Sequence, residues 1–155
     1  MEFSSETKLS KHFKLKEFEK SQTAIRLNID NTVKDKKIFN NLKKLSEEIL
    51  EPVRNHFGKS FSPNSGYRCL QLNRKLGSRD SSQHTLGQAV DIEIVGIDNE
   101  TLFAYIKNEL EFDQVILEYY DGVTPDSGWI HVSYIDPKEN RKNSFAYDGT
   151  TYRVV

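Results

Sequence analysis

The chain has 155 residues and a formal net charge of −1, with 36% hydrophobic and 29% charged residues. That length suffices for one core, and the balance is that of a globular chain rather than a disordered one. Near-neutrality argues against the electrostatic footprint of a nucleic-acid or anionic-membrane binder. The lysines at 34, 36, 37, 43 and 44 are interleaved with acids along a helical pattern, so they read as a solvated face. A single cysteine, Cys69, excludes an internal disulfide and a CxxC metal site. Met1–Glu6 has no apolar segment of the signal-peptide kind, and no stretch approaches the roughly 20 apolar residues of a membrane span. The expectation is synthesis in the cytoplasm, with any action outside it needing another route of delivery.

Residues 1–35 carry Phe13, Leu15 and Phe18, then Ile25, Leu27 and Ile29, in short helical turns and alternations. They are expected to wrap over a core formed by 36–155, the whole making one domain. Ser21 and Asp30-Asn31-Thr32 suit caps or turns. From Val33 to Phe57 the spacing of Ile38, Leu42, Leu45, Ile49 and Val53 predicts one long helix, kinked or ended by Pro52 and stopped by Gly58. Lys59–Asn64 reads as a short strand, followed by a helix with Leu72 and Leu76 inward and Gly77 closing it. Ser78–Gln83 reads as a polar loop.

Gln88–Val95 reads as a strand with Val90, Ile92 and Ile94 on one face and Ala89, Asp91 and Glu93 on the other. Asp98 can cap a helix over 100–110 that buries Leu102, Phe103, Ile106 and Leu110. Strands are predicted at Phe112–Tyr120 and Trp129–Ile135, with Asp121–Gly128 as the turn between them. Asp148-Gly149 signals a terminal hairpin between 144–147 and 151–154. Helices first and strands afterwards, without βαβ alternation, predict an α+β fold with a mostly antiparallel sheet packed on N-terminal helices.

Chemistry concentrates in Ser81–Ile94. His84 stands on a polar turn, and seven residues later Asp91 interrupts an apolar strand. An ionised carboxylate among Val90, Ile92 and Ile94 needs a partner, and a metal ion would account for the histidine as well. His131, in Trp129-Ile130-His131-Val132-Ser133, completes a set of two imidazoles and one carboxylate, provided the chain bends at Gly87. Such a set suits one zinc ion with an open fourth position. Taken singly, His84 could be a loop residue, His131 a half-buried strand histidine and Asp91 a partner of Arg68.

Ser82-x-His84-x-x-Gly87-x-Ala89-x-Asp91, preceded by Ser65-Gly66-Tyr67-Arg68 and followed by Trp129-x-His131, resembles the zinc D-Ala-D-Ala carboxypeptidase family. That family includes D-Ala-D-Ala dipeptidases of vancomycin resistance and phage L-Ala-D-Glu endolysins, and shares its fold with the hedgehog signalling domain. The match runs in order across residues 59–135, and Leu9–Asn31 is similar to the leader of small phage-encoded members. The resemblance implies a zinc peptidase acting on the peptidoglycan stem, with His84, Asp91 and His131 as ligands of one Zn2+ ion. It implies that Arg68 binds the substrate carbonyl or carboxylate, a task suited to its rigid fork of donors. Tyr67, Ser82 and Gln83 become candidate substrate contacts, Ser82 alternatively a support for the ligands.

Many relatives place a catalytic Glu three residues before the second histidine; here that position is Gly128. Glu118 is the candidate replacement. In a hairpin of 112–120 with 129–135, registers that set Glu118 opposite Trp129 or His131 turn its carboxylate to the metal side, and a one-residue slip turns it away. Asp126 is the alternative. Cys69 as a nucleophile is the weaker reading, because both histidines are better used on metal. His12 and His56 lack a visible ligand set, and Trp129 suits the core or a cleft wall. The resemblance suits a monomer delivered to the cell wall in phage lysis or on a virion. A non-catalytic, zinc-stabilised binding module and a zinc amidohydrolase with another substrate are the rival readings.

Overall fold

The computed structural model describes residues 2–155. Its N-terminal segment forms a small loop bridge between Lys8 and Lys14, then two short helices, α1 (Lys16–Glu19) and α2 (Gln22–Arg26). Ser21 caps α2 by accepting the Ala24 N–H at 3.1 Å. Phe3, Leu9, Phe13, Leu15 and Phe18 enter the same apolar cluster as Leu42, Ile49, Val90 and Ile130. Glu51 fastens this segment to the helix behind it, accepting from the Ser10 hydroxyl at 2.6 Å and the His12 N–H at 2.7 Å, with His12 Nδ1 at 2.6 Å.

The long helical stretch is continuous but not uniform. α3 (Lys36–Leu45) is capped by Asp35 and passes through one π-helical turn (Ser46–Leu50) into α4 (Glu51–Phe57). Pro52 neither ends nor breaks it. A proline lacks the N–H that an α-helix would use at that point, and the wide turn just before it, where the Glu51 N–H reaches Ser46 O, lets the helix resume around it. Leu42, Leu45, Ile49 and Val53 are fully buried, and Gly58 closes the helix at φ 64°.

Two sequence expectations are corrected here. Lys59–Asn64 forms no strand: Pro63 cannot donate to a ladder, and only Ser65 bridges to Asp91. Leu76 is 43% exposed because α5 (Leu70–Lys75) ends before it, whereas Leu72 is buried. α6 (Asn99–Glu109) starts at Asp98, which accepts the Thr101 N–H at 2.7 Å.

Five strands, β1 (Ala89–Ile92), β2 (Gln114–Glu118), β3 (Trp129–Ser133), β4 (Asn143–Tyr147) and β5 (Tyr152–Val154), form a sheet of order β1-β3-β2-β4-β5. Three of its pairings are antiparallel and β2–β4 is parallel, so the expected α+β class and mostly antiparallel sheet are found. Val90, Ile92, Val115, Leu117, Ile130 and Val132 face the core cluster. The residues alternating with them, Asp91, Ile116, Glu118 and His131 among them, turn the other way.

Asp113 locks the head of β2. Its carboxylate is completely buried and accepts from Arg141 N and Nε, both at 2.9 Å, Arg141 Nη2 at 2.8 Å and Gln83 Nε2 at 2.9 Å. Burial alone would raise its pKa, but Arg141 and Gln83 hold it at about 2, against 3.8 for an ordinary aspartate. Its stabilising contribution is therefore complete above about pH 4 and lost as the pH falls towards 2. Asp113→Asn is expected to cost about 2–3 kcal/mol at neutral pH, since Arg141 can turn to water once the carboxylate has gone. The difference in urea midpoint from wild type should shrink as the pH approaches 2.

Candidate metal centre

β1 and β3 place Asp91 directly opposite His131. Directly opposed residues share a face, so the two side chains meet on the side of the sheet away from the helices. His84 arrives from a single 3-10 turn, Gln83–Leu86, whose start is capped by the Ser82 hydroxyl accepting the His84 N–H at 3.3 Å. The chain then bends at Gly87, at φ 72°, and enters β1. Glycine is needed there twice over: the backbone is left-handed, and a Cβ would stand 2.9 Å from Ile38 O on α3.

The donor atoms converge. His84 Nδ1 donates to Gly66 O at 2.7 Å, which leaves Nε2 as the free lone pair, 3.5 Å from Asp91 Oδ1. His131 Nδ1 lies 3.0 Å from the same oxygen. All three donor atoms fall within 4.8 Å of one another. Ligands about 2.1 Å from one tetrahedral ion stand about 3.4 Å apart, and the two carboxylate–imidazole separations bracket that value. Two nitrogens and one oxygen form a donor set that can hold a first-row metal ion. The residues present fit the group.

Burial would raise Asp91, but the imidazoles of His84 and His131 hold its carboxyl well below the usual carboxylate range. Burial lowers His84, outweighing the pull of Asp91, so the ring favours the neutral form that a metal requires. Arg68 sits beside the triad, with Nε donating to Ser65 Oγ at 3.1 Å, Nη1 to Ser78 Oγ at 3.3 Å and Nη2 to Asp91 Oδ2 at 3.4 Å. Burial lowers its pKa, against the charges of Asp91 and Glu118.

β2 and β3 pair so that Glu118 faces Trp129, a register that turns its carboxylate to the metal side. Its Oε1 is 4.0 Å from His131 Nδ1. Burial raises the Glu118 carboxyl above the ordinary glutamate value, and the Asp91 charge adds to this against His131 and Arg68. Gly128 stands at φ 69°, and a Cβ there would lie 1.9 Å from Glu118 O. No side chain fits at this position without moving the end of β2. Asp126 is exposed and lines a different cleft, with Asn64, Glu93 and Ile97.

A cleft of about 870 Å³ takes in Ser82, Gln83, Glu118 and, from the triad, His131. Gln83 enters with its amide nitrogen already bound to Asp113, and Tyr67 packs against the core cluster, where burial raises its phenol. Trp129 lies behind Tyr119, ring centres 5.0 Å apart, and Tyr119, Tyr147 and Tyr152 wall the cleft. Cys69 accepts the Leu72 N–H at the start of α5, and His56 stacks on Tyr105 at 4.0 Å. Sequence reasoning missed Ser78 and Asp113 as supports of this site and the tyrosine wall. Asp113 carries the same signal as Asp91, a carboxylate next to apolar strand residues.

Three converging donor atoms that could hold a metal ion, with the Glu118 carboxylate beside them, are an arrangement that metal-dependent hydrolysis can use. The Peptidase M15 family model matches residues 11–133, and the chain belongs to that family. No curated protein matches the chain. Family membership makes this a peptidase by descent, with a peptide as its class of substrate. Among the described residues no helix is long and apolar enough to cross a membrane.

A carboxyl whose folded pKa is raised opposes folding above that pKa and is neutral towards it below the unfolded value. Glu118→Gln is therefore expected to stabilise the metal-free protein at pH 7. That gain should fade as the pH falls through the raised Glu118 value and be gone below the ordinary glutamate range, as thermal denaturation at several pH values would record.

Proposed function

We propose that the protein is a zinc-dependent peptidase that hydrolyses peptide bonds of the peptidoglycan stem, as a D-Ala-D-Ala carboxypeptidase or an endolysin-type endopeptidase. The observation that carries this reading is the convergence of the donor atoms of His84, Asp91 and His131, with Glu118 4.0 Å from His131. His84, Asp91 and His131 would hold the ion. Zinc so held supplies Lewis acidity, acidifying water and polarising a carbonyl.

The chain's own groups do the rest. Glu118 takes the proton of the attacking water and passes it to the amine that leaves, and a raised pKa suits a group that must both accept and release. Arg68 donates to the oxygen that gains charge at the scissile carbonyl. Asp91 and the two serine hydroxyls fix its guanidinium before substrate arrives, so little reorganisation is needed. Ser82 keeps the His84 turn in place, and Gln83, tied to Asp113, offers its carbonyl oxygen to a substrate amide. Gly66 O holds His84 in the tautomer that leaves Nε2 free.

Gly128, where many relatives carry an acid, is the feature that favours the rival reading of a non-catalytic binding module. Glu118 at the edge of the triad weakens that rival, and the tight approach of Gly128 to the Glu118 carbonyl supports an acid carried on β2 instead. Zinc-loaded wild type should release peptides from purified peptidoglycan, identified by mass. His84→Ala should abolish this, and Glu118→Gln should lower kcat by about 10²–10⁴-fold while keeping zinc. Full activity in Glu118→Gln would move the proton-transfer role to Asp126 or elsewhere. A zinc-loaded wild type without hydrolysis would favour the binding module or another substrate.

A further inference from the structure

The backbone on either side of Arg68 is held by the N-terminal segment. Asn31 is 94% buried, its exposure being 6%, and it makes three hydrogen bonds. Its Nδ2 donates to Tyr67 O and to Glu19 O, both at 2.9 Å, and its Oδ1 accepts the Cys69 N–H at 2.7 Å. One amide thus grips the residue before Arg68 and the residue after it. Two further bonds complete the frame: Tyr67 N donates to Phe18 O at 2.8 Å, and Arg68 N to His84 O at 3.1 Å. Gly66 presses so closely on Phe18 that a Cβ there would meet its backbone at 2.9 Å. Glu19, which accepts from Asn31 through its carbonyl, also accepts the Val33 N–H through Oε2 at 2.7 Å and the Ser5 hydroxyl through Oε1 at 2.6 Å.

We propose that Asn31 is a positioning residue for Arg68, and that the N-terminal segment is through it a working part of the active site rather than a cover over the core. The inference rests on the peptidase reading for its effect on activity. An amide suits the task because it donates and accepts at once, as the bracket of Tyr67 O and Cys69 N–H requires. Alanine would leave two carbonyls and one N–H of this part-buried frame without their side-chain partner, freeing the Arg68 backbone. Misplacing a substrate-orienting group by about 1 Å costs about 10²-fold in rate.

The test is a double-mutant cycle of Asn31→Ala and Arg68→Ala on zinc-loaded protein, assayed for kcat and KM on purified peptidoglycan. Asn31→Ala is expected to lower kcat/KM about 10- to 100-fold, and to have little further effect once Arg68 is alanine. Independent, multiplying losses would overturn the proposal, as they would show a general loss of structure. If wild type does not hydrolyse peptidoglycan, the functional reading fails, and positioning is judged from ¹⁵N relaxation of the Arg68 Nε–H. Asn31→Ala should then loosen that group while the amide signals of β1 and β3 stay unchanged; an equally rigid Arg68 would refute the proposal. Should Asn31→Ala not fold, Asn31→Asp, which keeps the acceptor for Cys69 but loses both donations, is put through the same comparisons.

Discussion

The carboxylate of Asp91 is the point on which the molecule turns. It is nearly buried in a sheet whose next residues, Val90 and Ile92, are fully inside the core. An isolated charge there would be untenable, so the surroundings are built to receive it. His84 and His131 share one oxygen and Arg68 approaches the other. The backbone of Asp91 adds to this, donating to Ser65 O and accepting from Asn64 N, both at 2.8 Å. One residue thus joins the 64–68 segment, the 84 turn and β3, and its charge draws two imidazoles and a guanidinium to a single place.

The rest of the fold serves that junction by separating two faces of one sheet. Helices α3, α4 and α6 and the N-terminal segment cover the apolar face, which leaves the opposite face free for polar chemistry. β1 and β2 flank β3 on either side, so His131 has Asp91 on one neighbour and, two residues along the other from its partner Ile116, Glu118. Asp113 ties Gln83 and Arg141 to the far end of β2. Rigidity at both ends of the cleft is what a site that must orient a peptide requires.

Much of this was legible in the sequence. Asp91 could be read because a carboxylate in an apolar alternation demands an explanation, and Gly87 because a left-handed bend demands glycine. The main helix followed from its stripe, and the β2–β3 register fell among those that turn Glu118 towards the triad. The π-turn was not legible: Pro52 signals a break, and only the neighbouring turn reveals how the helix passes it. Lys59–Asn64 looked like a strand on composition, but pairing depends on what lies beside it and on Pro63. The parallel β2–β4 pair is a long-range choice that no local pattern states. Asn31 read as an ordinary turn residue, since its three partners lie 12, 36 and 38 positions away.

The central claim is that Asp91 and the two imidazoles exist to hold one metal ion, and the most direct measurement is zinc content by native mass spectrometry. Wild type dialysed against zinc should carry one ion per chain. Asp91→Asn and His131→Ala, confirmed as folded by circular dichroism, should carry none under the same conditions. Zinc retained equally by both variants, or none taken up by the wild type, would contradict the account and leave the triad as a structural charge cluster.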